Sequence, residues 1–60
     1  MSNYKVIVTE WDGFRNDCGN MGSLPNARSY AEALYDEPET KSVEVLMEKG
    51  EQWVNLLTWG

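Results

Sequence analysis

The stretch SVEVLMEKGEQWVNLLTW, residues 42–59, decides the fold that we expect for this chain. Apolar and polar residues alternate on both sides of Lys49-Gly50, and a period of two is typical of β-strands that bury one face. Gly at the second position of a two-residue turn supplies the positive φ that a tight hairpin needs. The stretch therefore predicts a β-hairpin over residues 42–58 that turns at Lys49-Gly50.

The same alternation sorts the hairpin side chains onto two faces. One face is apolar and suits a core: Val43, Val45, Met47, Val54 and Leu56. The other face mixes carboxylates with large apolar groups: Glu44, Leu46, Glu48, Glu51, Trp53, Asn55 and Leu57. In this register Glu48 lies opposite Glu51 and Leu46 lies opposite Trp53. Because one short helix can cover only one side of a sheet, we expect the second face to stay open.

One further strand and one helix are predicted upstream of the hairpin. Residues 4–11, YKVIVTEW, are rich in β-branched and aromatic types and predict a strand. A helix is predicted over residues 27–36, since its apolar residues recur at helical spacing and Pro38 disfavours continuation. Its N-cap is either Asn26 or Ser29, the latter within a Ser-x-x-Glu capping box.

Residues 12–26 lie between these elements and are predicted to form a loop, because they are rich in Asn and Gly. The turn dipeptide Asp12-Gly13 could instead close a hairpin onto residues 14–18, although Asn16, Asp17 and the following Gly19 are poor strand formers. We therefore expect an α+β fold in a single domain, residues 1–60. It has a small antiparallel sheet of three strands, or four, with one short helix packed on one face.

Composition and charge narrow the classes of function. The chain has 60 residues, of which ten are acidic, five are basic and none is His, so its formal net charge is -5. Such an acidic chain disfavours direct binding to nucleic acid or to an anionic membrane, because both require Lys and Arg. An electrostatically guided partner should therefore be basic. The single Cys, with no signal-peptide pattern and no apolar run of membrane-spanning length, predicts a cytoplasmic protein.

Patterns typical of enzymes and metal sites are weak in this sequence. Cys18 has no His to activate it as a nucleophile, and one Cys without His disfavours a zinc site. The acidic and amide residues between Asp12 and Asn20 lack the distal Glu of an EF-hand loop. We predict a protein that is not an enzyme, with no cofactor and no bound metal.

The candidate binding residues are the carboxylates around the helix end and the open hairpin face. Acidic residues in the last helical turn oppose the helix dipole, and Glu48 opposite Glu51 places like charges together, each costing about 0.3–1 kcal/mol. Two interpretations are open: a solvated surface that also protects a sheet edge, or a surface that contacts a partner. The tryptophans can likewise pack in the core or anchor an interface. The candidate set is Asp36, Glu37, Glu39, Glu44, Glu48, Glu51, Trp53 and Asn55.

Residues 29–57, SYAEALYDEPETKSVEVLMEKGEQWVNLL, carry a resemblance to a known category of proteins. In size, charge and order of elements, residues 4–59 resemble small acidic anti-defence proteins of bacteriophages, in particular anti-CRISPR proteins. This resemblance implies an inhibitor in the bacterial cytoplasm that mimics DNA and occupies the basic channel of a CRISPR effector subunit. It also implies that the six carboxylates of the candidate set act as charge mimics, with Trp53 as the anchor.

The alternative is a small structural or regulatory interaction module, such as a homodimer that buries the face of Trp53 against its own copy. Two-fold symmetry would then bring Glu44, Glu48 and Glu51 close to the same carboxylates of the second copy. Because this repulsion disfavours self-association through that face, we expect a monomer.

Overall fold

The structure, a computed structural model, describes residues 3–60 and contains one helix packed on one face of a four-stranded sheet. Its elements are β1 (Tyr4–Glu10), β2 (Arg15–Met21), α1 (Leu24–Tyr35), β3 (Thr40–Lys49) and β4 (Gln52–Trp59). The strand order is β2-β1-β3-β4, and every neighbouring pair is antiparallel. The α+β fold predicted from the sequence is confirmed.

β2 forms within the segment that the sequence predicts to be a loop. Tyr4 pairs with Met21 and Thr9 with Arg15, so β2 extends along the whole of β1. A register shift interrupts the pairing, and Gly19 nearby adopts a φ of +108° that other residues avoid. Hydrogen bonding to β1 stabilises a strand whose own residues have low strand propensity. The prediction of a loop over residues 12–26 is therefore wrong, and the optional fourth strand of the predicted sheet is present.

α1 begins at Leu24, earlier than predicted, because Ser23 provides its N-cap. The Ser23 Oγ accepts a hydrogen bond from the backbone N–H of Asn26 at 3.2 Å. Pro25 lies in the first turn, where its missing N–H leaves no helical hydrogen bond unmade. The predicted N-caps, Asn26 and Ser29, are thus inside the helix. Its C-terminal end at Tyr35 lies next to the predicted end.

The core is a thin layer between α1 and the two central strands. The side chains of Val6, Val43 and Val45 are fully buried, and Val8 is nearly so. α1 contributes two small residues to this layer, Ala27 and Ala31, both with no exposed surface. Small side chains at the contact let the helix approach the sheet closely. Larger, partly buried side chains pack around this layer: Tyr4, Cys18, Met21, Leu24, Leu34, Leu57 and Trp59.

The turn between β3 and β4 lies one residue further along the chain than predicted. Lys49 pairs with Gln52, so the two turn residues are Gly50 and Glu51. Gly50 has a φ of +64° and occupies the first turn position, where a type II′ hairpin requires a positive φ. The predicted turn would have required a positive φ at Lys49 as well, which is unfavourable for a residue with a side chain.

This register and a β-bulge in β4 change the two faces of the hairpin. Glu48 now pairs with Trp53, and Leu46 with Asn55, while Val45 pairs with Leu57. The open face keeps most of the predicted residues: Glu44, Leu46, Glu48, Trp53 and Asn55. Leu57 instead packs against the core, Leu56 is exposed at the bulge, and Glu51 belongs to the turn. The predictions for these last three residues are wrong. Leu56 and Leu57 differ because a bulge inserts one unpaired residue and reverses the faces beyond it. Glu51 differs because the turn lies one residue further along the chain.

The same substitution at two valines tests this division into core and surface. Val45 is fully buried, whereas Val54 keeps 39% of its surface exposed. We expect Val45→Ala to lower the free energy of unfolding by about 1.5–3 kcal/mol through lost burial and an unfilled cavity. Val54→Ala should cost less than ~1 kcal/mol. Urea denaturation followed by circular dichroism measures both, and equal losses would contradict the described core.

Candidate functional site

The structure does not bring the predicted contact residues onto one surface. Three of them lie in the connection between α1 and β3: Asp36, Glu37 and Glu39. Four lie on the open sheet face, with Glu48 near the end of β3: Glu44, Glu48, Trp53 and Asn55. A third group, Glu51 alone, lies in the turn that follows β3. Tyr4 pairs with Met47 near that turn and Glu10 pairs with Thr40 at the other end of β1, so the first and third groups occupy opposite ends of the sheet.

Glu44, the central carboxylate of the open face, is neutralised within the molecule. The Arg15 Nη2 lies 2.9 Å from Glu44 Oε1. Asn55 Nδ2 donates to Glu44 Oε2 at 2.9 Å, and Thr58 Oγ1 donates to Asn55 Oδ1 at 3.2 Å. Both oxygens of Glu44 are therefore engaged, and this network spans β2, β3 and β4. The hydrogen-bonding groups of Glu44 and Asn55 are therefore used within the sheet, and a partner could bind them only by replacing these contacts.

Trp53, the predicted anchor, is also engaged on the open face. The Lys5 Nζ lies 4.3 Å from the centroid of the Trp53 ring, within the range of a cation–π contact. The same ammonium lies 3.3 Å from Asp17 Oδ2. Ile7 points away from α1 and is nevertheless only 9% exposed. It pairs with Asp17 on one side and with Glu44 on the other, so it lies among the ion pairs of the open face.

The surroundings of Asp17 favour the ionised form of its carboxyl group. Its Oδ1 accepts a hydrogen bond from the backbone N–H of Gly19 at 3.0 Å. This hydrogen bond is the largest cause of a lowered Asp17 pKa, and the Lys5 ammonium adds to it. Because the folded-state pKa lies below that of the unfolded chain, ionised Asp17 stabilises the fold above its ordinary pKa. That stabilisation is lost as the pH falls through the lowered value.

The replacement Asp17→Asn should reduce the loss of stability that the protein shows as the pH is lowered into the acid range. The amide keeps an acceptor for Gly19 but loses the charge that Lys5 stabilises, so the variant should be less stable than the wild type at pH 7. The difference should disappear as the pH falls from the ordinary value of 3.8 through the lowered pKa. Thermal unfolding between pH 7 and about pH 2 measures both profiles. Asp36→Asn is the control with the same change of charge, and an Asp17→Asn curve parallel to the wild type would contradict the assignment.

Cys18, which the sequence left without an activating His, is half-buried on β2 beside the core. Burial raises the pKa of its thiol, and the charge of Asp17 raises it further. The thiol is therefore protonated at neutral pH, unlike a nucleophilic cysteine. Within residues 3–60, no three His, Cys, Asp or Glu side chains come together in a way that could hold a metal ion. No helix of these residues combines the length and apolarity that crossing a bilayer requires.

The most strongly charged region is one end of the molecule, which we call the acidic tip. It consists of residues 10–14, the end of β1 with the following turn, and residues 36–39, the connection from α1 to β3. These two segments hold five of the ten acidic residues and neither Lys nor Arg. The carboxylates are Glu10, Asp12, Asp36, Glu37 and Glu39. The C-terminal end of α1 points the negative pole of its helix dipole into this group.

Backbone hydrogen bonds hold the two segments of the acidic tip together. The Trp11 N–H donates to the Glu39 carbonyl at 3.3 Å, which ties the turn to the connection. Within the turn, the Phe14 N–H donates to Asp12 Oδ1 at 2.9 Å. Within the connection, the Thr40 N–H donates to the Glu37 carbonyl at 3.1 Å, and Thr40 itself is buried. The acidic tip is therefore a defined surface and not a loose pair of loops.

Two aromatic side chains of the acidic tip are more exposed than any other large hydrophobic group of the described chain. Trp11 is 67% exposed and Phe14 is 60% exposed. Neither belongs to the set predicted from the sequence, which assigned Trp11 to a strand and placed the anchor at Trp53. The signal was available, because both aromatics flank the turn dipeptide Asp12-Gly13 and a turn directs its flanking side chains to the surface.

In comparisons with family models, with curated proteins and with solved structures, this chain matched none significantly.

Proposed function

We propose that this protein is a non-enzymatic inhibitor that binds, through its acidic tip, to a basic nucleic-acid-binding surface of another protein. The observation that carries the proposal is the combination of five carboxylates and two exposed aromatic rings at one end of the molecule. The target surface is one that normally binds phosphates, so an acidic protein seated on it excludes nucleic acid by occupying the same charges.

The charge distribution favours the acidic tip over the open face as the contact surface. On the open face, Arg15 neutralises Glu44 and Lys5 neutralises Asp17. The acidic tip has no cation within its two segments. The nearest in sequence are Arg15, which directly follows the first segment and is paired with Glu44, and Lys41 in β3. The field of the acidic tip therefore extends into solvent and attracts a positively charged surface, with a rate that depends on ionic strength.

Trp11 and Phe14 supply the affinity that charge alone does not. Large aromatic groups that become buried in an interface contribute much of its binding energy, and Trp is enriched among such anchors. Both side chains are largely exposed before binding, so their burial releases apolar surface from water without breaking contacts within the protein. A carboxylate rim around an aromatic centre suits a Lys- and Arg-lined groove.

The resemblance to anti-CRISPR proteins extends this proposal to a specific class of target. We propose a host defence complex as the partner, with a CRISPR effector subunit in the bacterial cytoplasm as the leading example. The mimicry would then come from carboxylates in place of DNA phosphates, at the acidic tip and not along the hairpin.

Two pairs of matched substitutions test the role of the acidic tip. The first pair, Glu37→Gln with Glu39→Gln, removes two charges from the acidic tip. The second pair, Glu48→Gln with Glu51→Gln, removes two charges from the opposite end. Each double variant and the wild type are immobilised to capture proteins from a bacterial lysate, and captured proteins are identified by mass spectrometry. We expect the first pair to lose a nucleic-acid-binding protein that the second pair and the wild type retain.

The captured protein then allows a direct test of mimicry. Binding should weaken steeply with added salt, and duplex DNA should compete for the same site. Equal capture by both double variants, or a complex indifferent to salt and to DNA, would contradict the proposal.

A second test concerns the aromatic anchors. The double replacement Trp11→Ala and Phe14→Ala should weaken binding to the captured protein at least ~10-fold, because it removes two buried anchors from the interface. It should change the unfolding free energy little, since both rings are exposed. Tyr30→Ala with Tyr35→Ala is the matched control, because these rings are 38% and 40% exposed but lie on α1. Isothermal titration calorimetry measures the affinities. Equal weakening by both pairs would place the interface elsewhere.

A further inference from the structure

β4 is an edge strand that lacks the usual protection against pairing with another strand. It ends the sheet order β2-β1-β3-β4, and its eight residues, QWVNLLTW, include no charged residue and no Pro. The chain as a whole is 25% charged, so an edge strand without any charged residue is unusual. The other edge strand, β2, carries Arg15 and Asp17. Exposed edges are normally blunted by charges or Pro because their free backbone groups can pair with a second chain.

The side chains along this edge are also partly apolar and exposed. Val54 keeps 39% of its surface exposed and Leu56 keeps 38%. On the helix side, Leu57 forms one wall of a shallow groove of about 410 Å³, whose other walls come from the N-terminal half of α1 and from Glu32. Because Leu57 belongs to β4, the groove includes a side chain of the edge strand itself.

We propose that β4 pairs antiparallel with β4 of a second copy of this chain, so that the two sheets join into one. The two-fold axis of such a dimer makes the interface self-complementary, with the same uncharged strand on both sides. The strand itself therefore brings no like charges together, although each copy has a net charge of -5.

The positions of the remaining charges support a second copy as the occupant. Thr40, which follows the acidic tip, pairs with Glu10 at one end of the sheet, and the turn at Gly50-Glu51 lies at the other end. Antiparallel pairing of β4 places the two acidic tips at opposite ends of the joined sheet. The five carboxylates of each acidic tip are thereby kept away from those of the partner's acidic tip.

The β-bulge limits where the two strands can pair. It separates a regular run, Gln52–Asn55, from the residues beyond Leu56, and bulges increase the local twist of a strand. Pairing through the regular run places Val54 close to the two-fold axis. So short an interface buries much less than the ~1,600 Å² of a standard stable complex, and we expect a weak dimer whose population rises with concentration.

This dimer differs from the one considered from the sequence, which used the face of Trp53 and met the repulsion of Glu44 and Glu48. Edge pairing through β4 avoids that face. It also leaves the acidic tip free, so each copy can bind a partner. The self-association of β4 and the proposed inhibitory function can therefore fail independently.

Lysine substitutions at the edge test the proposal. Val54→Lys and Leu56→Lys, each made singly, place like charges beside one another in the dimer, and Tyr35→Lys is the control at a residue that is 40% exposed on α1. The mass-average molecular weight is measured by sedimentation equilibrium from micromolar to near-millimolar protein. For the wild type and Tyr35→Lys it should rise from 6.9 kDa towards twice that value. Val54→Lys should raise the dissociation constant at least ~10-fold, and Leu56→Lys should raise it in the same direction.

A disulfide trap gives a second readout that does not depend on a lysine at the edge. In a Cys18→Ser background, Val54→Cys should form a covalent dimer under mild oxidation much faster than Tyr35→Cys, because the two-fold axis brings both copies of residue 54 together. Far-UV circular dichroism confirms that each variant is folded. A constant 6.9 kDa at all wild-type concentrations would overturn the proposal, as would equal cross-linking at residues 54 and 35.

Discussion

The contact between two alanines of α1 and the valines of the central strands is the constraint on which the rest of the structure depends. Ala27 and Ala31 have no exposed surface, and they form one buried cluster with Val6, Val43 and Val45. Within residues 3–60 there is only this one helix to place on the sheet, so only one face is covered in this way. The opposite face must be stabilised by other means.

That second face is stabilised by polar and aromatic side chains acting on one another. Arg15 and Asn55 engage the carboxylate of Glu44, while Lys5 bridges Asp17 and Trp53. These contacts shield the sheet without a second helix, and they engage the groups that a partner would need. The charges left unengaged are concentrated where the chain leaves the sheet, at the acidic tip. The demands of folding thus separate the surface that stabilises the protein from the surface that can recognise another one.

Several parts of the fold follow from patterns that are local in the sequence. The period-two alternation over residues 42–59 predicts β3, β4 and most of the division into two faces. The helical spacing of Ala27, Tyr30, Ala31 and Leu34 predicts the buried side of α1, although Tyr30 is 38% exposed in the structure. β2 does not follow from its own composition, because its stability comes from hydrogen bonds to β1. The hairpin register depends on whether Gly50 is the first or the second residue of the turn, and the sequence does not distinguish the two. The bulge at Leu56 is not indicated either, because no Gly or other typical bulge residue lies there.

The sequence by itself determined the α+β class, the acidic character of the molecule and most of the fully buried apolar residues, because these depend on composition and periodicity. It did not determine that Val54 and Leu56 are exposed or that Leu57 packs on the core. Only the tertiary structure decided how the acidic residues are distributed. Glu44 and Glu37 are both carboxylates in the sequence, but pairing of β2 with β1 brings Arg15 to Glu44, and no such strand crosses the acidic tip. Trp11 is exposed and Trp53 contacts Lys5 for the same reason, because the surroundings of each side chain depend on residues that are distant along the chain.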